Sequence, residues 1–221
     1  MDPFRAVLFD VGDTLIRLSG SGGVLLAAAA AALGAEPGPG ELELVWRRVL
    51  DRASTGDELG KGRDLSAARH REVWTALYTA AGCEQVAAGL SDELYARTVD
   101  PASWEAFPDA AAVLRGVRER GLRVGVLSDT GFDFRPALDR TGLGRYLDVV
   151  LFSYELGVCK PAAKSFLTAC DRLGVPSEQV LMVGDNPLTD GGAVGAGLTT
   201  LLLPRPAPTG PRGLDKVLAL L

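Results

Sequence analysis

The fold is decided by the stretch Ala6-Val-Leu-Phe-Asp-Val-Gly-Asp-Thr-Leu15, which begins as a short apolar run and breaks at a glycine between two aspartates. A run of strand-forming residues bounded in this way predicts a buried strand that ends in a loop. In open α/β sheets, ligands bind just beyond the carboxyl ends of the strands. Asp10 and Asp13 would then lie at a binding site, although aspartate and glycine also favour surface turns. The remainder of the chain has to decide between these two interpretations.

The composition indicates a globular protein. The chain has 221 residues, of which 47% are hydrophobic and 23% charged, so it can bury a sizeable core. The net charge of −5 argues against a broad nucleic-acid surface. The apolar run Val24–Leu33 is shorter than the about 20 residues of a membrane span, and acidic residues precede it instead of the basic region of a signal peptide. We therefore expect a cytoplasmic protein without a nucleic-acid or membrane partner.

Strand-like and helical patterns alternate after Phe107, which predicts a parallel sheet with right-handed crossovers. The predicted strands are Val124–Ser128, Val149–Ser153, Val180–Gly184 and Thr199–Leu203. The predicted helices are Ala110–Arg120, Pro136–Thr141, Ala162–Leu173, Gly192–Gly197 and Leu214–Leu221. Residues 16–103 show helical patterns and no convincing strand. The sequence thus predicts an α/β core of residues 1–15 and 104–221, interrupted by an all-helical block of residues 16–103.

Polar side chains follow the predicted strands at one edge of this sheet. Asp10 and Asp185, with Asp190 nearby, would form a carboxylate site suited to a hard divalent cation such as Mg²⁺. Lys160 supplies a positive charge and Ser128 a hydroxyl group, which together would hold a dianionic group against the metal. A carboxylate can then attack that group as a covalent nucleophile.

These segments, in this order, resemble the four motifs of the haloacid dehalogenase-like (HAD) hydrolases. Each motif alone is a weak signal, but four in order at predicted strand ends are a strong one, and the resemblance covers essentially the whole chain. The segments are Asp10-Val-Gly-Asp-Thr-Leu15, Val126-Leu-Ser128, Gly157-Val-Cys-Lys-Pro161 and Gly184-Asp-Asn-Pro-Leu-Thr-Asp190.

The resemblance implies a Rossmann-like core with the helical block as a cap over the active site. It implies that Asp10 is the nucleophile, that Lys160 stabilises the charge of Asp10 and of the phosphoryl group, and that Ser128 and Asp129 bind phosphate. The phosphoryl group would move to Asp10 and be released by water. We therefore expect a Mg²⁺-dependent phosphatase of small phosphorylated metabolites, acting as a monomer or homodimer.

The resemblance also implies which residues hold the metal. Mg²⁺ would be bound by the side chains of Asp10 and Asp185 and by the backbone carbonyl of Gly12. Asp190 and Asn186 would lie beside these ligands, with Asp190 orienting metal-bound water or the lysine of the third motif.

Gly12 departs from the pattern that the resemblance implies for phosphatases, which place an aspartate there as general acid and base. Loss of a general acid costs about 10² to 10⁴ in rate. Asp13 comes one residue later, and adjacent side chains on a strand point to opposite faces. Only a bend in the loop would bring Asp13 into this role, so Asp13 is a possible substitute acid.

Several functions stay open at this stage. The chain is a phosphatase, slow on poor leaving groups, or a catalytically weak member that binds a phosphate ligand or a protein partner. The related dehalogenases generally have an aromatic residue in place of Gly12 and lack the pair Gly184-Asp185, which argues against dehalogenation. The related phosphonate-cleaving hydrolases use a cap lysine, for which Lys61 is the candidate, although a solvated loop position explains it better.

His70, the single histidine, allows two interpretations. It is a solvated or half-packed helix position, or it belongs to a basic patch with Arg63, Arg69 and Arg71 that faces a substrate with a second anionic group. Helical spacing cannot place all of these side chains on one face.

Overall fold

The structure, a computed structural model, describes residues 3–20, 22–53, 55–206 and 209–221. The described chain forms two compact units. The first contains residues 3–17, Glu105–Asp129 and Asp133–Leu221, and the second contains Leu18–Trp104 and Thr130–Phe132. The sequence predicted that Thr130–Phe132 belong to the α/β core. Instead, the Phe132 ring lies 5.3 Å from the His70 ring, centroid to centroid, within the second unit.

The first unit is built on a parallel sheet. The strands in the described residues are β1 (Ala6–Phe9), β2 (Ile16–Leu18), β3 (Trp104–Ala106), β4 (Arg123–Ser128), β5 (Val149–Phe152), β6 (Val180–Gly184) and β7 (Thr199–Leu202). Within this described part, five of them form one sheet in the order β5-β4-β1-β6-β7, with parallel neighbours. The predicted α/β fold is confirmed. Because β1 lies between β4 and β6, the residues that follow these three strands meet at one edge.

The strand β2 corrects the prediction that residues 16–103 contain no convincing strand, and its partner β3, which directly follows this range, was not predicted either. They form a separate two-stranded sheet, and each has only three residues. A run this short cannot show an alternating pattern, and its partner lies far away in the sequence. Only the pairing itself reveals these strands.

The second unit is mainly helical. Its α-helices are α1 (Gly22–Ala32), α2 (Pro39–Ala53), α3 (Gly56–Leu59), α4 (Ala67–Ala81), α5 (Cys83–Val86) and α6 (Leu90–Val99). Apolar side chains from α1, α2, α4 and α6 share one core, among them Leu26, Val45, Tyr78 and Leu94. This packing stabilises helices that have little other support, because isolated helices of this length are marginal in water. No helix in the described ranges combines the length and the apolar character needed to cross a bilayer.

The first unit also contains α-helices. They are α7 (Ala110–Glu119), α8 (Arg135–Arg140), α9 (Ser153–Leu156), α10 (Ala163–Leu173) and α11 (Asp215–Leu220). Of these, α7, α9 and α10 contact strands of the sheet and α11 contacts α7. Phe166 and Leu173 of α10 share a core cluster with Leu8 and Met182 of the sheet. The strands β1 and β6 are fully buried, which is why their sequences are continuous apolar runs.

One predicted helix has a different form and an earlier start. The sequence predicts a helix over Gly192–Gly197, whereas the structure has a 3₁₀ helix over Asp190–Ala196. Glycine disfavours the α-helix, and this segment is rich in it. The helix therefore begins at an acidic residue of the fourth motif.

Candidate active site

Lys160 is the central side chain of the candidate site, because its ammonium group joins two carboxylates. Its Nζ donates hydrogen bonds of 2.7 Å to Asp10 Oδ1 and 2.6 Å to Asp190 Oδ1. Only 5% of Lys160, 8% of Asp10 and 1% of Asp190 is exposed. Asp10 follows β1, Asp190 follows β6, and Lys160 follows α9. The parallel sheet therefore assembles residues that are far apart in the sequence.

The Asp190 carboxylate also holds the turn that follows β6. Its Oδ2 accepts hydrogen bonds of 3.0 Å from the backbone N–H groups of Asp185 and Asn186. Gly184 makes room for this carboxylate, since a Cβ at Gly184 would overlap it. Both oxygens of Asp190 are thus engaged by the protein, in keeping with a place beside the metal ligands.

Asp10, Asp185 and Asp190 form an acidic cluster. One carboxylate oxygen of each lies within 4.8 Å of the others. Both oxygens of Asp190 accept hydrogen bonds from Lys160 or from backbone N–H groups, whereas Lys160 contacts one oxygen of Asp10, so Asp10 and Asp185 are the better placed to ligate a cation. Carboxylate oxygens are the ligands that Mg²⁺ prefers, together with water and phosphate oxygens. The donor set therefore fits a hard divalent cation.

Burial and mutual repulsion shift the pKa values of this cluster. Burial raises the pKa of Asp10 to about 7 against the opposing charge of Lys160, and Asp190 and Asp185 add to the rise. Burial, with the charges of Asp13 and Asp190, raises the pKa of Asp185 to about 6. Burial alone would lower the pKa of Lys160, but the neighbouring carboxylates outweigh it and raise this pKa. A bound cation would relieve the repulsion between the carboxylates.

The loop after β1 bends at Asp13, whose φ of +54° lies in the left-handed region. β1 ends at Phe9, and the backbone N–H of Leu15 donates a 2.9 Å hydrogen bond to the carbonyl of Val11. The bend on which the role of Asp13 as a substitute acid depends is therefore present, and the role itself stays a prediction. Gly12 is not the strained position, and a Cβ there would meet no atom within 4 Å.

Asp13 lies in charged surroundings next to the acidic cluster. Burial raises the pKa of Asp13, while the charges of Arg212, Arg205 and Arg17 oppose the rise. Its own charge raises the pKa of Asp185. A second carboxyl group of the first motif therefore acts on the acidic cluster.

Ser128 and Asp129 follow one another at the carboxyl end of β4. Ser128 is buried. Asp129 Oδ1 accepts a 3.0 Å hydrogen bond from the backbone N–H of Lys160, which ties the loop after β4 to the third motif. Contact of Ser128 and Asp129 with phosphate stays a prediction.

Arg212 also contacts the first motif, although the sequence did not predict it as a site residue. This residue is 4% exposed, and its Nε donates a 2.5 Å hydrogen bond to the backbone carbonyl of Asp13. Its positive charge acts on both Asp13 and Asp185. Arg212 lies after a proline-rich stretch and outside the four motifs, and no local pattern distinguishes it from a surface arginine. Its place in the site is visible only in the tertiary structure.

His70 is buried in the second unit, so the expectation of a solvated or half-packed position is wrong. Only 4% of the residue is exposed, and its Nδ1 lies 3.0 Å from Tyr95 Oη. The rings of Phe132 and Trp74 also contact it. Burial, and then the charge of Arg63, lowers the pKa of His70 to about 4, so the ring is neutral at physiological pH.

The arginines of the predicted basic patch, and Lys61, each lie beside a separate acidic partner. These pairs are Arg63 with Asp64 at 3.4 Å, Arg69 with Glu72 at 2.9 Å, Arg71 with Asp92 at 2.9 Å and Lys61 with Glu58 at 2.5 Å. Each pair lies on the surface or partly exposed. The interpretation of a basic substrate-facing patch gains no support from these contacts.

Sequence comparisons place these features in context. The family model described as haloacid dehalogenase-like hydrolase matches residues 4–197, a range that contains all four motif segments. The haloacid dehalogenase-like hydrolase domain-containing protein 3 of Bos taurus is 30% identical over 221 residues, covering 96% of this chain and 87% of that protein. A phosphoserine phosphatase of Thermus thermophilus is 33% identical over 123 residues, covering 55% of this chain and 48% of that protein.

A structural comparison agrees with the fold. A solved dehalogenase structure matches with a TM-score of 0.71 and 24% sequence identity, covering 100% of this chain and 98% of that chain. At this level of identity the match concerns the arrangement of the backbone.

Proposed function

This chain belongs to the haloacid dehalogenase-like hydrolases, and on that basis we propose that it is a Mg²⁺-dependent phosphatase of small phosphorylated metabolites. The observation that carries the proposal is the buried contact of Lys160 with Asp10 and Asp190, beside the carboxylate of Asp185. Such a site combines a carboxylate nucleophile with positive charge and with oxygen ligands for a cation. A phosphate monoester carries two negative charges, which the ammonium group of Lys160 and a bound cation would together balance.

The metal would be held by the side chains of Asp10 and Asp185, with the Gly12 carbonyl as the third protein ligand. Bound Mg²⁺ would supply positive charge next to the phosphoryl oxygens. Asp190 would keep Lys160 and the turn after β6 in place, as it does through its two oxygens.

Asp10 is the nucleophile in this proposal. An oxygen of its ionised carboxylate attacks phosphorus, the bond between phosphorus and the ester oxygen breaks, and the leaving oxygen takes a proton to give the alcohol. Lys160 balances the negative charge on Asp10 and on the transferring group during this step. Water then attacks the aspartyl phosphate, which releases inorganic phosphate and restores the carboxylate.

Asp13 is the proton donor that the site supports best. The bend of the first loop brings its carboxyl group next to the acidic cluster, and its raised pKa favours the protonated form that a general acid needs. The arginines around it oppose this rise, so Asp13 titrates under two competing influences. A donor of this kind would lose its proton more readily than a fully buried carboxyl group.

The relatives support a phosphate substrate to different degrees. The resemblance to the Thermus thermophilus phosphoserine phosphatase favours phosphomonoester hydrolysis. The structural match to a dehalogenase is a match of fold. The acidic cluster favours the phosphatase, because it offers oxygen ligands for a cation that a dianionic substrate would share.

The test is a screen of phosphorylated metabolites and 2-haloacids with the purified chain, in EDTA and in Mg²⁺. We expect phosphate release in Mg²⁺ and none in EDTA, and loss of turnover in Asp10→Asn. Asp171→Asn removes a carboxylate from an exposed position of α10 and should leave the rate unchanged.

Two results would contradict the proposal. Equal phosphate release in EDTA and in Mg²⁺ would exclude a role of the metal in turnover. Halide release without phosphate release would assign the chain to dehalogenation. Binding of phosphate without turnover of any tested ester would point to a catalytically weak phosphate-binding protein.

A further inference from the structure

Arg212 reaches the first motif from the other end of the chain. Its Nε hydrogen bond to the Asp13 carbonyl joins residues separated by 199 positions. Its Nη2 is buried and has no hydrogen-bond partner among the described residues. Buried polar groups are nearly always paired, and an exception in a native site calls for an explanation. We therefore interpret the buried Arg212 guanidinium as a contact of the loop after β1 and not as part of a surface ion pair.

The backbone around Arg212 is anchored independently of its side chain. Asp109 Oδ1 accepts the N–H of Arg212 at 2.9 Å, and Asp109 Oδ2 accepts the N–H groups of Gly213 and Leu214 at 2.8 and 2.9 Å. Three hydrogen bonds to one carboxylate fix this segment beside the start of α7. Truncation of the Arg212 side chain should therefore leave the segment in place.

The loop that Arg212 contacts needs an external restraint. Asp13 adopts a left-handed backbone conformation, which costs energy for a residue with a Cβ even though aspartate tolerates it better than most, and which persists where surrounding contacts support it. The Arg212 hydrogen bond is made to the carbonyl of that same residue. The loop carries Asp10 and Gly12, two of the groups proposed to hold the metal.

We propose that Arg212 is a positioning residue for the metal site, which holds the left-handed turn at Asp13 and thereby the placement of Asp10 and Gly12. This inference rests on the proposed function for the metal and on the observed contact for the loop. Neither Arg212 nor its segment belongs to the four motifs.

Positioning by Arg212 and the charge of Arg212 have opposite expected effects on Mg²⁺ binding. Arg212 acts as a cation on Asp185 and Asp13, so its removal makes the site more negative and would tighten Mg²⁺ binding if the loop did not move. If Arg212 holds the loop, its removal weakens Mg²⁺ binding instead. The sign of the change in Kd therefore separates positioning from simple electrostatics.

The experiment compares Arg212→Met, Arg212→Lys and the matched control Arg205→Met with the unmodified chain. Arg205 also acts as a charge on Asp13, but its side chain is exposed and makes no hydrogen bond to the loop in the described part of the structure. Hydrogen exchange of residues 11–16 is measured in EDTA, and the Kd of Mg²⁺ alone is measured by calorimetry.

We expect Arg212→Met to speed exchange of residues 11–16 by about tenfold or more and to raise the Kd of Mg²⁺ by about tenfold, since fixed geometry governs Mg²⁺ ligation. Arg212→Lys should give smaller changes, because lysine can still donate to the carbonyl, and Arg205→Met should give neither. Unchanged exchange, or a lower Kd, in Arg212→Met would overturn the proposal.

Two further outcomes remain informative. If Arg212→Met does not fold, Arg212→Gln, whose shorter side chain lacks the guanidinium, takes its place, and exchange of residues 11–16 identical to that of the unmodified chain would overturn the proposal. If the unmodified chain binds no Mg²⁺, the metal assignment fails, and the positioning role stands or falls on the exchange of residues 11–16 in EDTA.

Discussion

The ammonium group of Lys160 lies 2.7 Å from the Asp10 carboxylate, and both side chains are almost completely buried. A buried ion pair contributes little net stability, but removal of one partner leaves a charge without compensation. Lys160→Met should lower the free energy of unfolding by about 3 to 5 kcal/mol in metal-free buffer near neutral pH. Denaturant unfolding measures this change.

Turnover of Lys160→Met should fall by about 10² or more, because the positive charge next to the transferring group is lost. Lys164→Met is the matched control, since Lys164 is exposed on α10. Its effect on stability should stay within about 0.5 kcal/mol. A Lys160→Met protein as stable and as active as the unmodified chain would refute the central role of Lys160.

The raised pKa of Asp185 predicts how stability depends on pH. The unfolded chain loses this proton near pH 3.8, whereas the folded chain keeps it up to about pH 6. The folded state therefore binds more protons between these values, so the contribution to stability is complete below about pH 3.8 and is lost as the pH rises through about 6. In EDTA, this loss should be about 3 kcal/mol larger in the unmodified chain than in Asp185→Asn.

Mg²⁺ should reverse this loss because it binds the ionised carboxylates. The rise in Tm on adding Mg²⁺ should be larger at about pH 8 than at about pH 5, where protons compete with the ion. Thermal unfolding at both pH values, with and without EDTA, measures the difference. A rise in Tm that is the same at both pH values would contradict the assignment of Asp185 as a ligand.

Gly184→Ala should disturb the site through steric contact. The added Cβ would overlap the carboxylate of Asp190, which holds both the turn after β6 and Lys160. We expect a loss of about 1 to 3 kcal/mol in unfolding free energy, measured by denaturant titration, together with lower turnover. In the control Gly195→Ala, the Cβ meets no atom within 4 Å, so both quantities should stay near those of the unmodified chain. Equal effects of the two substitutions would refute the close approach of Asp190.

The identity of the general acid is tested at Gly12 and Asp13. Asp13→Asn removes the carboxyl group while keeping a residue type that tolerates the left-handed backbone. If Asp13 is the acid, turnover of an alkyl phosphate should fall by about 10² to 10⁴, while p-nitrophenyl phosphate, whose leaving group needs no proton, should lose much less. Equal losses on both substrates would exclude this role.

Gly12→Asp is the complementary substitution, because the structure leaves open space for the new side chain and Gly12 does not have a positive φ. We expect a folded protein with a Tm near that of the unmodified chain. If protonation limits the rate, Gly12→Asp should favour alkyl phosphates over nitrophenyl phosphate. A large drop in Tm would show that this loop does not accept a side chain at position 12.

Local sequence patterns determined the order of the strands and helices and the placement of the motif residues at strand ends. The buried strands β1 and β6 are continuous apolar runs that end in Asp10 and Asp185, and a parallel sheet brings such ends to one edge. This is why the sequence was sufficient to predict the α/β fold and to select Asp10, Lys160 and Asp185 as candidates.

Only the tertiary structure decided how the first loop is held. The bend at Asp13 and its contact with Arg212 join residues that lie 199 positions apart, and no local periodicity encodes a contact over that distance. The same applies to β2 and β3, whose three-residue runs become strands only by pairing with each other. Hydrogen bonds and burial between distant segments decide the conformation at these positions. The sequence predicted a strand that ends in a loop, and the tertiary structure decided that this loop turns at residues 13–15.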